Sequence, residues 1–228
     1  MSLVTVRLKE HFKGHGCPVC SVLKEFEKRE MENILYEHVN SPHVRAEIRK
    51  SLGLCPYHAW ALFETAYSNP LLGPLGISVI YDDMLSTFIR SIEQEADLDG
   101  ECLICRHSLE REKDVVDEIA SHPEEFTRIY RESPAIFCKR HYGLIVKALK
   151  ERGIDTSELK EVHLKKLRSL ERALSEFIDS YDYRSKETGK NAWALPETIE
   201  ALKGKRTAVS LGDGRCSALK KRRLLKFL

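Results

Sequence analysis

Eight residues in this chain have the types and spacing of metal ligands, and they fall into two similar sets. Cys17 and Cys20 form a Cys-x2-Cys pair that is followed by a Cys-x2-His pair, Cys55 and His58; Cys102 and Cys105 are followed in the same way by Cys138 and His141. The two sets use six of the seven cysteines. Zinc takes four tetrahedral ligands drawn from Cys sulfur and His nitrogen, and a Cys-x2-Cys on a tight turn offers two thiolates to one ion without strain. Each copy thus holds a complete Cys3His complement, which predicts about two Zn2+ per chain. Because the protein fills all four positions, the ions are expected to be structural; a catalytic zinc keeps a place for water or substrate. Three thiolates and a neutral His leave a site charge of −1, and Lys139 and Arg140 stand close in sequence to offset it. The intervening lengths are 34 residues from Cys20 to Cys55 and 32 from Cys105 to Cys138, and this near-equality favours pairing within each copy. The competing arrangement is across copies, with Cys17 and Cys20 joining Cys138 and His141.

Other chemistries use some of the same residues. An iron-sulfur cluster would take the same three cysteines and one histidine, and CPVC has the look of a dithiol redox motif, although no βαβ pattern surrounds it. The sequence argues against a c-type haem, because Ser21 and Arg106, not His, follow the cysteine pairs. His15, two residues before Cys17, could replace His58 but reads better as an exposed loop histidine. His11, His38, His43, His107, His122 and His163 share no ligand spacing, and His163 is expected at a helix flank. Cys216 reads as a free thiol. The adjacent acids Asp82 and Asp83, like Glu93 and Glu95, diverge on a helix and read as solvated surface. With no Gly-rich phosphate loop, nucleophile elbow or His-Glu-x2-His, nothing supports an enzyme.

These ligands must be positioned by helices. A lead-in with Val4, Val6, Leu8 and Phe12 runs to Gly14 and Gly16, ahead of the first cysteine pair. From Ser21 to Val39 apolar residues recur at helical spacing. Ser41 suits an N-cap and Pro42 a first helical position, with Val44 and Ile48 facing inward. Cys55 and His58 then lie three apart on one face of a helix's first turn, where free backbone N–H groups favour a thiolate. Trp60, Leu62, Phe63 and Tyr67 are expected to pack inward. After the connector NPLLGPLG, Ile77, Ile80, Tyr81, Met84, Leu85, Phe88 and Ile92 mark a long amphipathic helix to about Ala96.

The order then repeats at a shift of 85 residues, with a helix from about His107 to Ser121 and a short one opened by Pro123, and internal duplication explains it most simply. A further helix from about 156 to 184 is long enough to lie across both copies, and PETIEALKG forms a short one bounded by Pro196 and Gly204. The domains expected are residues 1–99 (first Cys3His repeat with a connecting helix), 100–153 (second repeat), 154–204 (long and short C-terminal helices) and 205–228 (basic tail).

The chain has 228 residues, 42% of them hydrophobic, enough for a real core. No stretch approaches the roughly 18 to 20 apolar residues of a membrane span, no signal-peptide run is present, and cysteine usage suits a reducing compartment, so a cytoplasmic protein is expected. Formal net charge is +2, divided between a body of −6 over residues 1–202 and a tail of +8 over 203–228. In that tail Lys220, Lys221, Arg222 and Arg223 could bind nucleic acid or an acidic surface weakly and with strong salt dependence; a merely solubilising tail is the other reading.

The succession CPVC, SLGLCPYHAW, LGPLGISVIYDDML, CLIC, FCKRHYGLIVKAL and NAWALPETIEALKG resembles an uncharacterised prokaryotic family of helical proteins with duplicated Cys-x2-Cys and Cys-x2-His motifs, over about residues 10–204. The resemblance implies metal ligands at the eight positions and no particular activity. The second pair lacks the proline of CPVC, which bears on turn rigidity more than on ligation. The expectation is an all-α protein of about seven to nine helices: two metal-stapled helical repeats packed with a long C-terminal helix. Its expected role is an interaction or adaptor module, with an unknown protein partner and a homodimer as one form of it.

Overall fold

A computed structural model of the chain describes residues 3–96, 98, 100–182 and 189–207. All regular structure among them is helical, in ten helices, one more than the upper end of the expected range. They are α1 (Leu3–Phe12), α2 (Pro18–Tyr36), α3 (Pro42–Lys50), α4 (Pro56–Ser68), α5 (Gly73–Glu93), α6 (Leu103–Ser121), α7 (Pro123–Glu132), α8 (Lys139–Glu151), α9 (Ser157–Asp179) and α10 (Ala194–Lys203). The basic tail with Lys220, Lys221, Arg222 and Arg223, and with Cys216, lies outside the described residues.

Local sequence accounts for most of the boundaries. Ser41 caps α3 by accepting from the Val44 backbone N–H, with Pro42 in the first turn. Gly53, at φ +101, reverses the chain after α3 in the left-handed region that glycine occupies without a Cβ penalty. Pro56 and Pro123 start α4 and α7, where a missing N–H costs nothing. α10 runs to Gly204, at φ +78, as PETIEALKG suggested.

The chain forms two compact units, one of Met1–Leu23 with Arg111–Arg206 and one built on Lys24–Glu110. The division falls inside α2 and α6, so each of these helices contributes to both. In the first unit α1 packs on α7, α7 on α9, and α10 lies along α9 and against α8. Phe12 makes edge contacts with Tyr130 and Phe137, and its ring centroid is 6.0 Å from that of Phe126, a buried aromatic cluster beside the segment that carries Cys138. In the second unit α5 packs on α3 and α4, around Ile48, Leu62, Ala66, Ile77, Ile80 and Met84.

Three packing expectations need correction. Only Leu62 of the four large α4 residues is buried; Trp60 is 67% exposed and Tyr67 62%, and Phe63 stacks between them on the outside. α4 is apolar on two faces, and the stripe of His58, Leu62 and Ala66 is the one that meets the core. On α5, Ile77, Ile80 and Met84 are buried, but Leu85, Phe88 and Ile92 are exposed. α5 has 21 residues against 13 in α4, and its buried positions end at Met84. His163, expected at a helix flank, is buried instead: its Nδ1 lies 2.7 Å from the Tyr130 hydroxyl and its ring stacks on Tyr142.

Candidate metal centres

All eight candidate ligand residues sit at helix N-termini. Cys17 directly precedes α2 and Cys20 lies in its first turn; Cys102 and Cys105 stand in the same way to α6. Cys55 and Cys138 are the N-cap residues of α4 and α8, both in extended conformation (φ −61, ψ 160 and φ −71, ψ 161), which places His58 and His141 in the first helical turn. Every N-terminus presents unpaired N–H groups and about half a positive charge, so two of them offset roughly one excess negative charge at a thiolate-rich site.

The structure brings the ligands together across the two copies of the motif. Cys17 and Cys20 meet Cys138 and His141, while Cys102 and Cys105 meet Cys55 and His58; in each group the four ligand atoms all lie within 4.8 Å of one another. The expectation of a complete Cys3His set within each copy is therefore corrected. Near-equal loop lengths say that either pairing is sterically open, and helix packing selects between them. The first group joins the N-termini of α2 and α8, the second those of α4 and α6. Backbone contacts fix both junctions. The Ile136 N–H donates to the Gly16 carbonyl at 3.0 Å, tying together the strands of chain that precede Cys138 and Cys17. At the other junction Gly100 lies so close to Lys50 that a Cβ would collide with the Lys50 carbonyl group.

In the first group, His141 Nδ1 is 3.3 Å from Cys17 Sγ, 3.3 Å from Cys20 Sγ and 3.2 Å from Cys138 Sγ, and Cys20 Sγ is 3.7 Å from Cys138 Sγ. In the second, His58 Nδ1 is 3.4 Å from Cys55 Sγ and 3.5 Å from both Cys102 Sγ and Cys105 Sγ, with Cys55 and Cys105 sulfurs 3.6 Å apart. A tetrahedron with metal–sulfur bonds of about 2.3 Å and metal–nitrogen bonds of about 2.0 Å has edges of about 3.8 Å between sulfurs and about 3.5 Å between sulfur and nitrogen. The donor sets fit a single tetrahedral ion, and the six cysteines are free thiols, not disulfides. The first group is wholly buried; in the second, Cys55 is partly exposed.

The electrostatics point the same way. Hydrogen bonds from Cys102 and Cys105 hold the Cys55 thiol far below its ordinary value, and those from Cys17 and Cys20 do the same for Cys138. Burial pushes Cys17 up. Burial opposes charge on His58, but the sulfurs of Cys102 and Cys55 and the nearby Glu27 carboxylate outweigh it and carry the imidazole up to about 11; His141 is likewise raised by Cys138, Cys20 and Glu112 against the effect of burial. In each cluster one thiol, Cys55 or Cys138, is held negative beside a histidine held positive, a pairing of charges that a bound cation could take over.

Residues outside the two motifs complete the sites. Glu112 Oε1 is 2.9 Å from His141 Nε2, and Glu27 Oε2 is 3.6 Å from His58 Nε2; both carboxylates are buried. Arg140 donates to Glu112 from Nε at 2.7 Å and from a terminal nitrogen at 2.9 Å, and it was only as a charge offset that the sequence suggested it. The glutamates carried one signal that could have found them: each stands seven residues after the second cysteine of its pair. His15 is 73% exposed and faces Glu197, not the cysteines. Asp83 is tied to Arg45 and Arg49, a structural pairing.

The chain belongs to a family described only as a family of unknown function, DUF6062, which matches it over residues 1–100 and again over 78–208. No curated protein and no solved structure matches the chain. No described helix is long and apolar enough to cross a membrane.

Proposed function

We propose that this member of the family is a zinc protein whose two Cys3His centres are structural, one held by Cys17, Cys20, Cys138 and His141 and the other by Cys55, His58, Cys102 and Cys105. The observation that carries the reading is the match of both donor sets to the edges of a tetrahedron around one ion. Thiolate and imidazole donors in that geometry select zinc or iron, and zinc needs no redox partner. The compactness of each set favours one ion over an iron-sulfur cluster, which interposes iron and sulfide atoms between its ligands. A dithiol role is disfavoured because Cys17 and Cys20 both face His141. With every coordination position supplied by the chain, the ions hold helix N-termini together and leave the protein to act as an interaction or adaptor module. Six thiols kept as ligands suit a reducing, cytoplasmic setting.

Elemental analysis of the purified chain tests this: close to two zinc per chain after gel filtration is the expected result. A chain prepared gently and found free of metal overturns the proposal. A visible absorption band would replace zinc with iron, and a reversible Cys17–Cys20 disulfide would replace the metal site with an oxidoreductase.

A further inference from the structure

We propose that Glu27 and Glu112 are positioning residues of the two centres, buried carboxylates that hold His58 and His141 with Nδ1 turned to the metal; the inference rests on the zinc reading above. In both groups Nδ1 is the nitrogen facing the sulfurs and Nε2 the one facing the carboxylate. For Nδ1 to offer its lone pair, the proton must sit on Nε2, and a carboxylate at that nitrogen is the partner that keeps it there. Burying a carboxylate is costly unless it is paired, yet only 2% of Glu27 and 4% of Glu112 is exposed.

Each carboxylate is itself held from behind. Glu112 receives the forked hydrogen bonds of Arg140, and Glu27 accepts from the Ser108 hydroxyl at 3.1 Å. The two glutamates occupy the same place in the motif, seven residues beyond Cys20 and Cys105, two helical turns along α2 and α6. Since the ligand sets cross between copies, α2 gives its cysteines to His141 and its glutamate to His58, and α6 does the reverse. Two independent placements of the same residue type against the same ring nitrogen are what a shared positioning role requires. His141 Nε2 is hydrogen-bonded to its carboxylate at 2.9 Å, whereas His58 Nε2 stands 3.6 Å from Glu27, an ion-pair distance with no hydrogen bond formed.

The test uses the full chain with its zinc. In E112A, chelator competition is expected to show about 10- to 100-fold weaker zinc binding at the His141 centre with the His58 centre little changed, and E27A the reverse pattern with a smaller loss. E112Q, whose amide oxygen can accept the same hydrogen bond, is expected to recover much of the affinity. It also serves where E112A does not fold. Nitrogen-15 NMR of the histidine rings in the zinc-loaded wild type should show metal on Nδ1 and a slowly exchanging proton on Nε2, the latter exchanging faster at His141 alone in E112A. Equal losses at both centres, unchanged affinity, or metal on Nε2 would overturn the inference. A wild-type chain without metal would instead overturn the zinc reading on which it stands.

Discussion

The crossing of the ligand sets is open to a decisive perturbation. One variant carries Cys17→Ser, Cys20→Ser, Cys138→Ser and His141→Ala; a second carries Cys17→Ser, Cys20→Ser, Cys55→Ser and His58→Ala. In the structure the first removes one group entirely and leaves the other intact, whereas the second removes half of each. The first is therefore expected to retain one zinc per chain after gel filtration and the second none. Binding of a structural zinc releases on the order of 10 kcal/mol or more at neutral pH, comparable with a whole domain's stability of about 5–15 kcal/mol, so the second variant should also lose cooperative melting. The tie from Cys20 to Cys138 spans 118 residues, against 50 from Cys55 to Cys105. Closing the longer loop restricts the unfolded chain by about 0.8 kcal/mol more, too little beside the binding term to alter the ranking. Zinc content by elemental analysis and melting by circular dichroism are the readouts. One zinc in the second variant and none in the first would refute the crossed arrangement and restore pairing within each copy.

Further outcomes follow from individual contacts. Because Cys55 is the only partly exposed ligand among the eight, a thiol alkylating reagent is expected to release zinc in two phases, with Cys55 labelled in the faster; a single phase would contradict the difference in burial. Gly100→Ala should destabilise by roughly 1–3 kcal/mol, since its Cβ would meet the Lys50 backbone, while Gly143→Ala on open helix surface should stabilise by about 0.5–1 kcal/mol; thermal melts that fail to separate the two would undo the packing argument. Burial holds His163 down to about 4. A histidine with a lowered folded value stabilises above its unfolded value of about 6.5 and loses that contribution as pH falls toward 4. The stability gap between wild type and H163F should thus narrow over that window by up to about 3 kcal/mol, and a gap that stays flat would count against a buried neutral imidazole.

Local sequence was enough to single out the eight Cys and His residues that the structure gathers into two clusters, and the starts of their helices. Cys-x2-Cys and Cys-x2-His place two donors on one helical turn, and Ser41, Pro42, Pro56, Pro123 and Gly204 mark boundaries through chemistry confined to a few residues. The same locality limited the reading of apolar residues: helical spacing finds a stripe, but on α4 two stripes compete, and only the packing of other helices around Leu62 decides that it is covered and Trp60 is not. His163 shows the same limit, because its burial depends on Tyr130 and Tyr142 from other helices.

What the sequence by itself determined is therefore the pair: which two donors share a turn, four times over. Only the tertiary structure decided which pairs meet, because a tetrahedral donor set needs two helix N-termini with donors about 3.5 Å apart, and that proximity comes from packing between residues far apart in the chain. Glu27 and Glu112 belong to the same category. Their positions were repeated in the sequence, but a buried carboxylate acquires its meaning from the ring nitrogen across from it, and no spacing along one helix can reveal that.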